Sequence, residues 1–384
     1  MPSIMLPDAG RALVSYTTAP PRLFERAAPP FPRVAYAAAH VVADPLADAD
    51  PWIASAIDWD RTIAFRRHLW SLGLGVAEAM DTAQRGMGLD WPASLELIRR
   101  TLDAARDVPG ALVASGAGTD HLAPGASLDD VLRGYEAQCA AIEALGGRII
   151  LMASRALAAA ARGPEDYHRI YGRVLGGLRA PAIIHWLGDM FDPALAGYWG
   201  SRDLDAATET CLAMLRDNAG NIDGIKVSLL DRDREIALRR RLPRGVRMYT
   251  GDDFNYPELI AGDAAGYSDA LLGIFDPIAP AASAALGALQ RGDAAEFHAI
   301  LAPTLPLSRH VFRAPTRFYK TGVVFLAWLA GHQEHFVMVG GQQSARSLLH
   351  LSELFRLADR AGLLPDPETA CSRMEMLLAL HGVG

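Results

Sequence analysis

The sequence is most informative at the seven residues Asp223-Gly224-Ile225-Lys226-Val227-Ser228-Leu229. A short apolar run of this kind, rich in β-branched residues, predicts a buried β-strand. Side chains alternate between the two faces of a strand. Gly224, Lys226 and Ser228 therefore share one face, and the larger apolar side chains between them share the other. The pattern predicts one lysine on the inner face of a buried strand.

Seven further apolar runs of similar length occur along the chain, at residues 34–42, 75–80, 111–115, 148–153, 182–187, 246–250 and 268–275. Amphipathic stretches with helix-capping signals, such as the one that begins at Ser127, separate most of them. Eight strands that alternate with helices over roughly 250 residues predict a (β/α)8 barrel, or TIM barrel, of the α/β class. A doubly wound open sheet is disfavoured because no Gly-x-Gly-x-x-Gly motif follows the first strand.

The barrel is predicted to carry an additional segment at each end. Residues 1–32 are rich in proline, lack helical periodicity and predict an extended N-terminal arm. Residues 33–304 form the predicted barrel. Residues 305–384 show only helical patterns and predict a C-terminal helical appendage. Its apolar stretch at residues 323–329 is too short to cross a membrane, so we expect it to pack against the barrel or a second subunit.

Composition excludes several classes of protein. Of the 384 residues, 51% are hydrophobic, which suffices for a large core. The formal net charge is -7 and the basic residues are dispersed among acids, so nucleic acid is not an expected partner. A membrane is not expected either, because the sequence has no run of eighteen apolar residues. The three cysteines are far apart and favour a reducing cytoplasm over a disulfide framework or a structural zinc site. The N-terminal region also lacks the apolar core of a signal peptide.

An inward-facing lysine at the end of a barrel strand suits covalent chemistry, because barrel active sites lie at the C-terminal ends of the strands. Burial disfavours the ammonium form and lowers the lysine pKa, so the amine can attack a carbonyl group near neutral pH. The resulting protonated imine withdraws electrons from the adjacent carbon without any cofactor. The alternative is structural: Lys226 pairs with an interior acid, Asp252 or Glu78, and holds strands together.

Four ordered segments support the chemical interpretation. They are Gly-Ile-Lys at residues 224–226, Thr-Gly-Asp-Asp at 250–253, the eighth strand with its loop at 268–280, and Pro-Thr-Arg-Phe-Tyr-Lys at 315–320. Together they resemble the dihydrodipicolinate synthase / N-acetylneuraminate lyase superfamily of class I aldolases, and in particular a divergent branch of longer proteins. The resemblance covers about residues 33 to 380. It implies a Schiff base on Lys226 and an assembly of the chain into homodimers or homotetramers.

Three strands, the fifth, the fourth and the second, depart from the pattern of the superfamily. His185 stands where its fifth strand usually carries a proton-relaying tyrosine. An imidazole with an ordinary pKa near 6.5 suits proton transfer at neutral pH; the alternative is a core histidine that donates to a backbone carbonyl. The fourth strand lacks the usual tyrosine pair. Ser154 or Arg155 is therefore expected to supply a polar contact to the substrate, although either could be a solvated loop residue.

The second strand ends in Met80–Gly86, where the superfamily has Gly-Thr-Thr-Gly-Glu. Thr82 keeps one hydroxyl for proton transfer, but Asp81 replaces the other with a carboxylate that would repel a 2-keto acid. A hydroxylated keto-sugar or sugar acid, oriented by Asp81, Gln84 and the Asp252–Asp253 pair, therefore fits better than plain pyruvate. The alternative for Asp81 is a helix N-cap. Arg85 would reverse the argument if it reached the pocket instead.

The sequence thus predicts a class I lyase of carbohydrate metabolism, an aldolase or a dehydratase, in which Lys226 forms the imine. Two alternatives stay open. The first is a metal-dependent sugar isomerase or hydrolase with His40, His121 and His185 as ligands, although these residues lack His-x-His spacing and Lys226 would oppose a cation. The second is a non-catalytic barrel that binds a small molecule.

Overall fold

The apolar runs of the sequence fold into short strands, and the amphipathic stretches fold into helices. The computed structural model describes residues 1–383. Within them, the strands are β1 Ser3–Pro7, β2 Leu13–Thr17, β3 Ala35–Ala38, β4 Gly75–Glu78, β5 Val113–Ala117, β6 Arg148–Leu151, β7 Ala182–Leu187, β8 Ile222–Ser228, β9 Arg247–Thr250 and β10 Asp269–Leu272. Each of the eight predicted strands is present, with ends that differ by a few residues.

The α-helices of the same residues are α1 Trp59–Ser71, α2 Trp91–Ala105, α3 Leu128–Ala144, α4 Arg155–Ala160, α5 Pro164–Gly176, α6 Leu204–Asp217, α7 Arg232–Arg239, α8 Tyr256–Ala261, α9 Ala279–Gln290, α10 Ala294–Leu301, α11 Thr304–Val311, α12 Tyr319–Leu329, α13 Leu348–Arg360 and α14 Pro367–Leu380. Short 3-10 helices lie at Asp81–Ala83, Pro193–Leu195, Tyr198–Gly200, Ala219–Asn221, Thr316–Phe318 and Val339–Ser344. The predicted helix start at Ser127 is confirmed, because its hydroxyl accepts a hydrogen bond from Asp130 N.

Strands β3 to β10 form a closed parallel barrel in the order β10-β3-β4-β5-β6-β7-β8-β9. This confirms the predicted (β/α)8 fold. The inward-facing side chains build a separate apolar cluster inside the barrel, which includes Tyr36, Ile150, Ile183 and Tyr249. A larger cluster lies between the strands and the surrounding helices. The interior below the site is therefore a dry, packed core and not a pore.

The N-terminal arm contains more regular structure than predicted. Strands β1 and β2 pair as an antiparallel hairpin. In β1, Ile4 and Leu6 are buried while Ser3 and Met5 are exposed, which is the alternation of a half-buried strand. The phenol of Tyr16 donates to Asp359 Oδ2 at 2.7 Å. The hairpin is thus attached to helix α13 at the other end of the chain, a long-range contact that proline content alone does not reveal.

The C-terminal helices lie across the mouth of the barrel. Helix α12 is buried along its whole length, so the apolar stretch at residues 323–329 packs within the chain itself. The first turn of α12 contacts the 3-10 helix Asp81–Ala83, which follows β4. Among residues 1–383, no helix is long and apolar enough to cross a membrane. The appendage therefore contributes side chains to the C-terminal end of the barrel, where the functional residues of this fold lie.

Candidate active site

Lys226 lies near the C-terminal end of β8, buried and directed into the barrel as strand alternation predicts. Its neighbours across the sheet are His185 on β7 and Tyr249 on β9. The side chain passes Gly251 so closely that a Cβ atom at that position would lie 2.8 Å from Lys226 Cε. The same Cβ atom would lie closer still to Ser228 Oγ and 2.8 Å from the Val227 carbonyl oxygen, so the close approach of the Thr-Gly-Asp-Asp segment to β8 requires a glycine.

The charges of two carboxylates affect the pKa of the Lys226 amine. Burial lowers the pKa of Lys226, and the charges of Asp253 and Asp81 partly offset that effect. Burial also raises the pKa of Asp253, whose Oδ1 accepts a hydrogen bond from Ile274 N at 2.9 Å. The amine and the Asp253 carboxyl group are both desolvated, which favours the neutral form of each group more than water does. The charge on each of the two groups therefore shifts the pKa of the other.

A pair of hydroxyls lies at the same chamber. Thr82 Oγ1 and the Tyr319 phenolic oxygen are 2.8 Å apart, and both side chains are buried. Gly273, just after β10, packs against this site: a Cβ atom there would lie 3.0 Å from Phe312 Cζ and 3.2 Å from the Tyr319 ring, so a side chain at this position would shift both rings slightly. Burial raises the pKa of Tyr319 well above its ordinary value, so the phenol stays protonated. The two hydroxyls can donate and accept protons in sequence.

His185 is fully buried beside Lys226. Its Nε2 lies 3.2 Å from Ser228 Oγ, and its Nδ1 has no hydrogen-bond partner among residues 1–383. Burial lowers the pKa of His185 well below 6.5, and the charge of Lys226 lowers it further. The predicted pKa near neutrality is therefore wrong, because the sequence does not show the degree of desolvation. His185 is therefore a neutral imidazole at pH 7, and its protonated form is disfavoured.

Three adjoining cavities open at this end of the barrel, and Asp81 and Leu187 line all of them. The chamber of Lys226 holds only about 10 Å³ of free space, roughly the room for one water molecule. The largest cavity, about 720 Å³, borders His185 and Asp120, and another of about 360 Å³ borders Lys320. Since a carbonyl carbon with its substituents needs more room than one water, such a group would reach the Lys226 amine only if the surrounding side chains moved apart.

Asp81 and Arg85 both lie at the cavities, but they differ in their partners. The Asp81 side chain borders all three cavities. Arg85 also borders the largest cavity, but its guanidinium donates to Asp120 at 2.7 Å and to the Gly116 carbonyl. Arg85 is thus neutralised by a partner, whereas the Asp81 carboxylate faces the cavities. Asp81 is the first residue of a 3-10 helix and not its N-cap, which is Met80.

Three of the predicted substrate ligands lie outside the cavities. Asp252 accepts hydrogen bonds from Phe254 N at 2.8 Å and Asn255 N at 3.1 Å, so its carboxylate shapes its own turn. Ser154 caps helix α4 by accepting from Leu157 N at 2.8 Å. Gln84 is buried in the left-handed backbone region, with φ of 67°, beneath the loop after β4. Asp252 and Ser154 thus stabilise their own turn and helix start, the Gln84 side-chain amide has no hydrogen-bond partner among residues 1–383, and none of the three residues borders these cavities.

The acids named as structural partners of Lys226 are occupied elsewhere. Glu78 faces away from the barrel interior and accepts two hydrogen bonds of 2.9 Å from Arg66 on α1. It also accepts from Thr101 on α2 at 2.7 Å. Asp252 is engaged in its turn. Neither acid pairs with Lys226, so the lysine does not serve as a strand-to-strand tie to them.

The histidines of the metal hypothesis do not converge. His40 Nδ1 lies 2.8 Å from Asp276 Oδ2, and its ring packs on Phe65 of α1. His121 Nδ1 lies 2.7 Å from Gln138 Nε2. Only His185 faces the barrel interior. Among residues 1–383, no group of three or more His, Cys, Asp or Glu side chains is arranged to hold a metal ion. The geometry gives no support to a metal site built on these three residues.

Sequence reasoning missed two side chains at the cavities, Tyr319 and Lys320. The chain contains only two lysines, Lys226 and Lys320, among 37 basic residues. Both are buried, and both border cavities that Asp81 also lines. Lysine is ordinarily a surface residue. In a chain whose other basic side chains of this count are all arginines, the two buried lysines therefore stand out as candidate functional residues. This signal was available in the composition.

The chain is thus a TIM barrel with an inward lysine on its sixth barrel strand and helix α12 at its mouth. The solved structures that match include dihydrodipicolinate synthases. The 4-hydroxy-tetrahydrodipicolinate synthase of Methylacidiphilum fumariolicum SolV is 15% identical, with a TM-score of 0.63 over 90% of this chain and 99% of that one. The dihydrodipicolinate synthase of Thermotoga maritima is 16% identical, with a TM-score of 0.63 over 86% and 99%.

A prophage protein of the same synthase family from E. coli K12, solved with pyruvate, is 12% identical, with a TM-score of 0.62 over 91% of this chain and 98% of that one. The resemblance predicted from the sequence is thus confirmed in the fold. The chain belongs to the family described as protein of unknown function (DUF993), whose model matches residues 4–383. No curated protein sequence matches it.

Proposed function

We propose that the protein is a class I lyase, an aldolase or dehydratase, in which Lys226 forms an imine with a hydroxylated carbonyl compound. The observation that carries this proposal is a buried lysine at the end of a barrel strand whose amine faces a chamber and pairs with neither Glu78 nor Asp252. Amines that form Schiff bases are activated by such desolvation. The fold shared with dihydrodipicolinate synthases adds support by analogy.

The chamber supplies each proton that the reaction moves. The neutral Lys226 amine attacks the carbonyl carbon, the C–O double bond opens, and the oxygen takes up protons and leaves as water. Asp253 accepts the proton that the amine loses. The oxygen takes up two protons, the one that Asp253 holds at the start and the one that Asp253 takes from the amine, so Asp253 ends as a carboxylate beside the cationic imine. The Thr82–Tyr319 hydroxyl pair, at 2.8 Å, relays these protons to the departing oxygen and regains each one that it gives. The cationic imine then accepts the electrons of the adjacent C–C or C–H bond when that bond breaks.

The cavities favour a substrate with several hydroxyls. Asp81 accepts hydrogen bonds but repels a carboxylate at its own position, which disfavours plain pyruvate there. The cavity of about 720 Å³ beside His185 has room for a sugar-sized molecule and offers Asp81, Asp120 and Thr119 as polar partners. Neutral His185 is placed to accept a proton from such a substrate. A keto-sugar or sugar acid fits these features; the homo-oligomeric state and the cytoplasmic location stay predictions.

Reductive trapping tests the proposal. The protein is incubated with single carbonyl compounds, including pyruvate, 2-keto-3-deoxy sugar acids and ketoses, and is then reduced with borohydride. We expect a mass increase that equals one substrate less one oxygen atom for at least one hydroxylated compound, and little increase for pyruvate. A panel in which no hydroxylated compound is trapped, while the protein stays folded by circular dichroism, would contradict the proposal.

A further inference from the structure

The second lysine lies in the smaller of the two open cavities. Lys320 is buried in the first turn of α12, and its side chain borders the cavity of about 360 Å³. Its Nζ donates to the Arg317 carbonyl at 3.1 Å and lies 3.3 Å from Met87 Sδ. Both partners are uncharged. Among residues 1–383, Lys320 forms no ion pair, so a buried cation lacks a direct counter-ion.

The surroundings of this cavity are also cationic. Arg317 borders it without an ion-pair partner in the described chain, while Arg155 borders it paired with Asp192. Asp81 is the remaining carboxylate, and it also faces Lys226. The cavity therefore has three cationic side chains against two carboxylates. Helix α12 begins here without a side-chain cap, so the positive end of its dipole adds to the potential.

A buried cation that is placed against a helix N-terminus and beside an arginine costs free energy in the empty protein. An anion in the cavity would remove that cost by pairing with both Lys320 and Arg317. We propose that Lys320 and Arg317 form a binding site for an anionic group, a phosphate or carboxylate, carried by the substrate at the end remote from its carbonyl. This inference rests on the proposed function of Lys226.

The remote position follows from the shape of the site. The cavity of Lys320 and the chamber of Lys226 share four lining residues: Asp81, Leu187, Phe191 and Tyr319. A group that contacts Lys320 is separated from Lys226 by these side chains. The substrate class becomes a hydroxylated carbonyl compound with a terminal phosphate or carboxylate, whose hydroxyls pass Asp81.

Burial lowers the pKa of Lys320 to about 8, and Asp81 partly offsets this effect. The ammonium form therefore dominates below pH 8 and is lost above it. Anion affinity should follow the same course, being full near pH 7 and weakening as the pH rises through about 8. Sulfate is a suitable probe for this profile because it does not titrate in that range.

The test combines direct anion binding with matched substitutions. Inorganic phosphate, sulfate and acetate are titrated calorimetrically into the wild type and into K320M, K320R and R317Q. The control is R106Q, which changes an arginine that is 71% exposed and pairs only with Asp103. We expect K320M to weaken binding by about tenfold or more, K320R to weaken it by less than about threefold, and R106Q to leave it unchanged. Tighter phosphate binding indicates a phosphorylated substrate; comparable acetate binding indicates a carboxylate.

A pair of ketones separates this inference from the function of Lys226. Dihydroxyacetone phosphate and dihydroxyacetone differ only in the anionic group, and each is trapped on the protein with borohydride. We expect the phosphate to be captured at concentrations about tenfold lower or more, and K320M to abolish this difference.

Three outcomes would contradict one of the two proposals. Equal capture of both ketones by the wild type would contradict the anion site and leave the imine on Lys226 supported. Anion binding that depends on Lys320, without capture of any carbonyl compound on Lys226, would overturn the lyase alone. Anion binding that K320M leaves unchanged would also overturn the site.

Discussion

Replacement of Lys226 by arginine is expected to lower turnover of any compound that the wild type processes by about 10³-fold or more, with the fold intact. Arginine keeps the positive charge that faces Asp253 and Asp81, but a guanidinium cannot form an imine. The effect is large because the substitution removes the covalent intermediate and not just one hydrogen bond. Steady-state kinetics measures it, and circular dichroism and thermal unfolding monitor the fold.

K226M is the companion variant. It removes the charge and keeps a flexible side chain of similar length against Gly251. We expect it to be as inactive as K226R, because the missing amine is common to both. The lysine would have only a structural or electrostatic role if K226R kept more than about a tenth of the wild-type turnover.

Substitution of Tyr319 by phenylalanine is expected to lower kcat by about 10²-fold, with a much smaller change in KM. The change removes the phenol that lies 2.8 Å from Thr82 Oγ1 and keeps the ring that packs on Phe312. The hydroxyl pair transfers protons in the proposed reaction and does not bind the substrate, so removing the phenol lowers kcat more than it changes KM. Borohydride trapping by Y319F should be slower but should still occur on Lys226.

A matched control exists for this tyrosine. Tyr256 is also buried and also hydrogen-bonded to a threonine hydroxyl, that of Thr304, but it borders none of the three cavities. Y256F therefore measures the structural cost of deleting such a hydroxyl, about 1 to 2 kcal/mol of stability. We expect Y256F to keep wild-type kcat. Equal kinetic losses in Y256F and Y319F would show that Tyr319 is merely structural.

The barrel could be predicted because its information is local. Each strand is a short apolar run, and strand alternation alone places Lys226 on the inner face. Strand alternation also places His185 on the inner face of β7, beside Lys226 on the neighbouring strand β8. The hairpin of the arm was missed because its stability comes from α13, through contacts such as Tyr16 with Asp359, more than 300 residues away.

The site could be predicted only where it is built from strand ends. Tyr319 and Lys320 come from helix α12, which packs at the mouth of the barrel. No local sequence pattern shows which side chains of its first turn point towards the cavities. Burial also decides charge states that a sequence cannot show, as in the lowered pKa of His185. Asp252 and Ser154 have the residue types of substrate ligands, but turn and cap hydrogen bonds occupy them.

The composition of the chain makes the central claim directly testable. Lys226 and Lys320 are its only lysines, so K320R and K226R each contain a single lysine. Both proteins are reduced with borohydride in the presence of the best-captured carbonyl compound, and the adduct is mapped by peptide mass spectrometry. We expect an adduct on Lys226 in K320R and none in K226R. An unmodified Lys226 in K320R, together with an adduct on Lys320 in K226R or on the N-terminal amine of either protein, would contradict the role of Lys226.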